Sequence, residues 1–325
     1  MKHTSIQALE ETIFSTGNNG EYDLTNISVP FENNKLTMRG VFAKPKNRSK
    51  YFHDVVHKKE RIVLHFTAGQ LRSDLQALTQ HDFHVSVAFV IARSGTIYQL
   101  FPSKFWSGHI GKGIGNIQTG NAEDKKTIGI ELSNYGFLAE HDQNLETIYS
   151  RKKDKNGNPV LDVYCTKADK HAYTKIDKPF RNQSFYATHT SEQYDSLVVL
   201  LRYLTEKFNI PREFLPEPER YEATQSVLTF KGIVSHINYR EDGKWDIGQA
   251  FDWNTVISGV RAVEYKPLSS KFENTGPNTG LESAGIESEE DLEALAPEAQ
   301  DASQENEPYE EREQRQGNLS SDQAD

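Results

Sequence analysis

The centre of the predicted sheet is the segment Arg61-Ile-Val-Leu-His65-Phe-Thr-Ala-Gly69. Its apolar run, Ile62 to Leu64, lies between a charged residue and a glycine, which is the pattern of a buried central strand. His65 follows at the carboxyl end of this strand, where the chain leaves the sheet. Ligand sites of α/β proteins favour such strand ends, so His65 is the first candidate for a functional residue.

A second apolar strand that ends in a histidine lies far downstream, at Gly232-Ile-Val-Ser-His236. The loop after it carries Lys244 and Asp246, with nine residues between His236 and Asp246. Two imidazoles and one carboxylate form a ligand set that zinc uses in catalytic sites, where the fourth position stays open for water. The sequence therefore predicts a zinc site built from His65, His236 and Asp246.

The spacing around the second histidine, with Lys244 two residues before Asp246, resembles the zinc-dependent N-acetylmuramoyl-L-alanine amidase family. Two further stretches resemble the same family, Arg93-Ser-Gly-Thr-Ile-Tyr-Gln-Leu100 and Thr127-Ile-Gly-Ile-Glu-Leu132. The resemblance covers about residues 36–255. It implies an α/β fold with a mixed central β-sheet flanked by helices, interrupted by an inserted segment.

The resemblance also implies roles for individual residues. In the family, the glutamate that corresponds to Glu131 takes the proton from the attacking water, and Lys244 stabilises the oxyanion of the tetrahedral intermediate. Taken alone, a glutamate in an apolar strand is better explained as a salt-bridged surface residue on an edge strand, and the other two motifs favour the catalytic role. Trp106 and His109 lie where relatives have a turn rich in tryptophan and histidine, and they are expected to border the substrate groove. The alternative is a loop that a buried tryptophan anchors.

An enzyme of this family hydrolyses the amide bond between N-acetylmuramic acid and L-alanine in peptidoglycan, with zinc lowering the pKa of the attacking water. Three other interpretations stay open: a non-catalytic peptidoglycan-recognition module, a cytoplasmic amidase that recycles muropeptides, and a metal-dependent hydrolase of another amide. Relatives that bind without cutting typically lose a metal ligand. All three ligands are present here, so we expect catalysis.

The charge of the chain is uneven. From Phe272 to the end there are 16 acidic and 2 basic residues, whereas the rest of the chain has 31 acidic and 35 basic residues. A mildly basic domain suits an anionic polymer such as a cell-wall glycan. The sequence has no nucleic-acid-binding motif, and no apolar run is long enough to span a membrane.

The first residues, Met1 to Glu11, lack the apolar core of a secretory signal peptide. We therefore expect synthesis in the cytoplasm. If the substrate is the cell wall, a phage or a secretion machinery has to deliver the protein to the periplasm or the wall.

Composition divides the chain into three parts. Residues 1–29 are an N-terminal extension with a short helix, Ser5–Thr12, and a loop rich in glycine and asparagine. Residues 30–265 are the amidase domain, with an insertion at about 137–190, and residues 266–325 are an acidic tail whose composition predicts disorder. Apolar periodicity predicts these elements inside the domain: helices Leu71–Gln80 and Ser191–Phe208, and strands Leu36–Ala43, Val85–Ile91, Thr96–Phe101 and Val160–Tyr164.

Overall fold

The computed structural model describes residues 2–14, 22–32, 34–44, 50–81, 83–116, 121–154 and 156–265. The predicted acidic tail lies outside the described residues. The α-helices of the described residues are α1 Ile6–Thr12, α2 Leu71–Leu78, α3 Ala122–Lys126, α4 Ser191–Lys207, α5 Glu217–Arg220 and α6 Trp253–Arg261. None of them is long and apolar enough to cross a membrane.

The strands form two sheets. They are β1 Tyr22–Phe31, β2 Asn34–Ala43, β3 Arg61–Phe66, β4 Phe89–Ile91, β5 Ile97–Gln99, β6 Thr127–Leu132, β7 Phe137–His141, β8 Asn144–Glu146, β9 Val163–Thr166, β10 Tyr173–Phe180, β11 Gln183–Ala187 and β12 Gly232–Ser235. The larger sheet has the order β1-β2-β5-β4-β6-β3-β12. Its pairs β1/β2 and β4/β5 are antiparallel and its other pairs are parallel. The predicted α/β class with a mixed central sheet is confirmed.

The two faces of the central strands are covered differently. Ile62 and Leu64 of β3 belong to the main core together with apolar residues of α4, whereas Val63 belongs to a smaller core with Val234 of β12. Successive side chains of a strand point to opposite faces. His65 therefore lies on the face of the smaller core, and so does Glu131, which pairs with His65 across the β3/β6 ladder.

Helix α4 forms where its sequence predicts it. Thr190 and Gln193 make a capping box, in which the Thr190 hydroxyl accepts a hydrogen bond from the backbone amide of Gln193 at 3.1 Å. Leu197, Leu201 and Leu204 form its buried stripe. The helix ends at Lys207, just before Asn209 takes up a left-handed conformation with φ of 51°.

The N-terminal prediction is wrong in one part. A loop was expected through residue 29, but residues 22–31 form β1, which pairs with β2 along its whole length. Ile27, Val29 and Phe31 alternate as buried residues. The intervening Thr, Asn, Ser and Pro residues hid this alternation, and Pro30 is tolerated because β1 is an edge strand. This strand is therefore part of the central sheet.

Three other strands differ in their bounds. The predicted strands Val85–Ile91 and Thr96–Phe101 are shorter, at Phe89–Ile91 and Ile97–Gln99. The predicted Val160–Tyr164 strand begins later, at Val163. Val160 is 48% exposed, so this apolar side chain is not packed against a core that would hold it in a sheet.

The inserted segment builds a sheet of its own, antiparallel throughout, with the order β10-β11-β7-β8-β9. It has a separate apolar core that includes Leu138, Leu145, Tyr164 and Phe185, and Ile6 of α1 packs into the same core. The N-terminal helix and the insertion therefore stabilise each other.

Candidate metal centre and active site

Three side chains converge at one edge of the central sheet. His65 ends β3 and His236 follows β12, and these strands are parallel neighbours, so their carboxyl ends meet. Asp246 arrives on a loop that is tied back by a hydrogen bond from the Ile237 amide to the Asp246 carbonyl, at 2.9 Å. The Nδ1 atoms of His65 and His236 lie 2.9 Å apart, and Asp246 Oδ2 lies 3.1 and 3.0 Å from them. All three residues are buried.

A chain of hydrogen bonds behind His65 assigns its tautomer. The Thr127 hydroxyl donates to the Glu123 carbonyl at 2.9 Å, so Thr127 accepts from His109 Nε2–H, also at 2.9 Å. Nδ1 of His109 then carries a lone pair and accepts from His65 Nε2–H at 3.0 Å. His65 Nδ1, the atom that faces the cluster, is therefore left with a free electron pair.

The other histidine is assigned in the same way. His236 Nε2 lies 3.1 Å from the carbonyl oxygen of Ile110, which can only accept, so Nε2 carries the proton. His236 Nδ1 therefore also presents a lone pair to the cluster. Each ligand histidine thus has an outer partner that fixes its ring, as is usual for metal-binding histidines.

The donor set fits a metal cation. With both tautomers assigned, two nitrogen lone pairs and one carboxylate oxygen face one another at 2.9–3.1 Å with no hydrogen atom between them. Such an arrangement is repulsive unless a cation lies among the three atoms. Within the described part of the chain, His65, His236 and Asp246 are the one group of His, Cys, Asp or Glu residues close enough to hold a metal.

Burial and neighbouring groups keep His65 and Asp246 in the states that a metal requires. Burial lowers the pKa of His65 to about 4, against the opposing effect of the adjacent Asp246 carboxylate, and it lowers the pKa of His109 well below the usual value. Burial alone would raise the pKa of Asp246, but the adjacent His236 and His65 outweigh burial and hold that pKa below its usual range. At neutral pH, His65 is therefore neutral and Asp246 is ionised.

Glu131 is a second acidic group beside the cluster. It is the direct partner of His65 in the parallel β3/β6 register. Its Oε2 atom is buried and has no hydrogen-bond partner among the described residues. Burial raises the pKa of Glu131 well above its usual value, the charges of Asp246 and Asp74 raise it further, and the charge of Lys244 opposes them. A carboxyl group with a raised pKa and a buried, unused oxygen is suited to accept and return a proton.

Lys244 lies on the same loop as Asp246, two residues before it, and is half-buried. Its positive charge lowers the pKa of both His65 and Glu131, so the ammonium group lies close enough to interact electrostatically with both side chains. A cation at this position can stabilise negative charge that develops on a substrate oxygen.

The two residues predicted to border the substrate groove lie deeper than expected, and each is 7% exposed. Trp106 does not join the cluster, because its ring stacks on His53 at a centroid distance of 3.9 Å, with the Lys125 ammonium 5.1 Å from the Trp106 ring centroid. His109 contacts the cluster through His65. A contact of either residue with substrate stays a prediction.

The outer partners of the histidines were missed from the sequence. One signal could have indicated His109: Gly129, two residues before Glu131 and on the same face of β6. A Cβ atom at Gly129 would lie 2.6 Å from Val87 Cγ1 and 3.2 Å from Cγ of His109. The glycine therefore makes room for the imidazole that supports His65.

Comparisons with known proteins cover the whole of this site. The family model described as N-acetylmuramoyl-L-alanine amidase matches residues 56–249, more than half of the chain. A search of curated protein sequences finds no match.

Among solved structures, the chain is similar to a selenomethionine derivative of AmpD, with 16% identity and a TM-score of 0.35 over 62% of this chain and 83% of that one. It is also similar to AmiD from E. coli in complex with the substrate anhydro-N-acetylmuramic acid-L-Ala-D-gamma-Glu-L-Lys, with 17% identity and a TM-score of 0.33 over 65% and 57%. It is similar to PlyL as well, with 13% identity and a TM-score of 0.35 over 70% of this chain and 98% of that one. These similarities are distant, and the family match carries the assignment.

Proposed function

Because this chain belongs to the N-acetylmuramoyl-L-alanine amidase family, we propose that it is a zinc-dependent hydrolase of peptidoglycan. The bond it cleaves is the amide between N-acetylmuramic acid and L-alanine. The observation that carries the proposal is the convergence of the His65, His236 and Asp246 electron pairs directly beside Glu131.

The residues have separate tasks in this reaction. His65, His236 and Asp246 would hold the zinc ion, which when bound lowers the pKa of water and polarises a carbonyl. Glu131 accepts a proton from the attacking water while the oxygen of that water bonds to the carbonyl carbon. Lys244 stabilises the resulting oxyanion.

The same carboxyl group then completes the reaction. Because burial raises the pKa of Glu131, its carboxylate is a stronger base than an exposed glutamate, and the carboxyl group keeps the accepted proton until the carbon–nitrogen bond breaks. It then passes the proton to the leaving amine. The products are the lactyl carboxylate of the glycan and a peptide with a free L-alanine amino group.

A defined muropeptide tests the proposal. We expect the zinc-loaded protein to split N-acetylmuramoyl-L-alanyl-D-glutamate into N-acetylmuramic acid and the free dipeptide, identified by mass spectrometry. Binding without cleavage would instead indicate a recognition module. Cleavage at the L-alanyl–D-glutamate bond would indicate a hydrolase of another amide.

We further propose that the substrate is the polymeric wall and not recycled fragments. The basic charge of the chain outside its tail supports this, because it attracts an anionic polymer. The proposal includes synthesis in the cytoplasm and delivery to the periplasm or the wall by a phage or a secretion machinery. Faster release of peptide amino groups from intact sacculi than from soluble anhydromuropeptides, at equal bond concentration, is the expected result. The reverse preference would favour recycling.

His109→Ala should weaken zinc binding although His109 is not a ligand. The substitution leaves the buried Nε2–H of His65 without its acceptor. Loss of such an outer partner typically lowers metal affinity roughly 10–100-fold. Competition with a chromogenic chelator measures the change, and His171→Ala, at an exposed position, is the matched control. Equal affinities of the two variants would show that the hydrogen bond from His65 to His109 does not support the site.

A further inference from the structure

The tip of the β10–β11 hairpin, Phe180 to Asn182, lies against the loop that carries Lys244 and Asp246. The Arg181 guanidinium donates to two backbone carbonyls of this loop, Nη2 to Arg240 at 2.7 Å and Nη1 to Lys244. One guanidinium group therefore joins both ends of the segment that leads to the metal ligand.

Contacts in the opposite direction tighten the same junction. Trp245 Nε1 donates to the Arg181 carbonyl at 3.2 Å, and the Trp245 ring packs on Phe137 of β7 with centroids 4.5 Å apart. A Cβ atom at Gly248 would lie 3.5 Å from Phe180 Cδ1, at van der Waals distance, so the hairpin tip also lies close to the loop beyond Asp246.

The conformation of the tip is itself unusual. Arg181 and Asn182 both have positive φ, 48° and 65°, between the paired residues Phe180 and Gln183. This is a two-residue hairpin turn whose first position normally takes Asn, Asp or Gly. An arginine at positive φ is uncommon, and here that backbone conformation accompanies the contacts of its side chain with the loop.

The other end of the inserted sheet is attached beside Glu131. Asn134 follows β6, and its side-chain amide donates to the carbonyls of Ala187 and Thr188 at the end of β11, at 3.2 and 3.4 Å. The Ala187 amide donates to the Gly136 carbonyl at 2.8 Å. The inserted sheet thus spans from the strand of Glu131 to the loop of Lys244 and Asp246.

We propose that the inserted sheet is a brace for the active site and that Arg181 is its positioning residue. Arg181 holds the Arg240–Asp246 loop so that Asp246 meets the two histidines and Lys244 faces the same site as Glu131. This inference rests on the proposed function only for its kinetic consequence, because the effect on metal binding is independent of the substrate.

Arg181→Ala tests the brace on the full chain. We expect zinc affinity, measured by chelator competition, to fall roughly 10–100-fold, as for other residues that orient metal ligands. We expect kcat on the muropeptide to fall over the same range with KM nearly unchanged, because the substitution disturbs catalytic groups. Hydrogen exchange of the loop amides should become faster in the variant.

Two controls separate positioning from charge and from folding. Lys178→Ala removes an exposed cation from the same hairpin and should leave zinc affinity unchanged. Arg181→Lys keeps the charge but not the pair of planar donors, so it should resemble Arg181→Ala. If Arg181→Ala does not fold, Trp245→Phe removes the indole donor while keeping a smaller aromatic ring beside Phe137, and it should weaken zinc binding by roughly 2–10-fold, about the value of one hydrogen bond.

Wild-type zinc affinity and loop exchange in Arg181→Ala, or wild-type zinc affinity in Arg181→Lys, would overturn the inference. In the event that the wild-type protein does not cleave muropeptides, the proposed function fails. The zinc titrations and hydrogen exchange still test whether Arg181 positions the loop.

Discussion

His236→Ala should abolish zinc binding and hydrolysis together. In the proposed zinc site His236 supplies one of three protein ligands, and its Nδ1 lies 3.0 Å from Oδ2 of Asp246, the second proposed ligand. Two remaining ligands cannot hold the ion at the usual affinity, because structural and catalytic zinc sites use at least three protein donors. Without the ion, neither the activation of water nor the polarisation of the carbonyl is available. Turnover should therefore fall to the background rate.

Thermal unfolding gives a readout that does not depend on the assay. A ligand that binds only the native state stabilises it by about 4 kcal/mol at 1,000 times its dissociation constant. Zinc should therefore raise the Tm of the wild type and leave the Tm of His236→Ala unchanged. His141→Ala, at a half-exposed side chain on β7, is the matched control and should respond to zinc like the wild type. A zinc-dependent Tm in His236→Ala would show that the ion binds elsewhere.

Glu131→Gln should stop turnover while zinc stays bound. The substitution preserves the shape of the side chain and removes its ability to take a proton. A positioned general base is worth roughly 10²–10⁴ in rate, so kcat should fall by that factor with zinc content unchanged. Zinc analysis and kinetics on the same sample measure both quantities.

The stability of the metal-free variant provides an independent check. Burial raises the pKa of Glu131 in the folded state, so the folded protein binds this proton more tightly than the unfolded chain does. As pH rises from the unfolded pKa through the folded pKa, the wild type loses stability. Glu131→Gln lacks this loss, so the Tm of the metal-free variant at neutral pH should equal or exceed the Tm of the metal-free wild type.

A matched substitution excludes a surface effect. Glu140, on β7, is a salt-bridge partner of Lys167 with a side chain that is 49% exposed. Glu140→Gln should change stability by at most about 1 kcal/mol and leave turnover intact. If Glu131→Gln behaves in the same way, Glu131 is a structural residue and the base has to be sought elsewhere.

The family, the enzyme class and the mixed central sheet were predictable because the informative residues lie in short apolar strands. The match to residues 56–249 confirms the predicted family and the class of N-acetylmuramoyl-L-alanine amidase. His65 and His236 each follow an apolar run, and parallel pairing of β3 with β12 is enough to bring them together. Local sequence thus carried the information that brings these two histidines together.

The parts that were not predicted depend on contacts between distant segments. The bond from Arg181 to the Lys244 carbonyl joins residues 63 positions apart, and no local pattern marks either partner. The support of His65 by His109 is likewise visible only once β3 and the 105–110 turn are placed side by side. Strand β1 was missed because polar residues and Pro30 interrupt its apolar alternation.

A titration of the metal-free protein with zinc, with muropeptide hydrolysis followed in the same cuvette, decides whether the reaction requires the ion. We expect no hydrolysis before zinc is added, a linear rise in rate, and a break at one zinc ion per chain. Full hydrolysis by protein that contains no metal would show that zinc is not required.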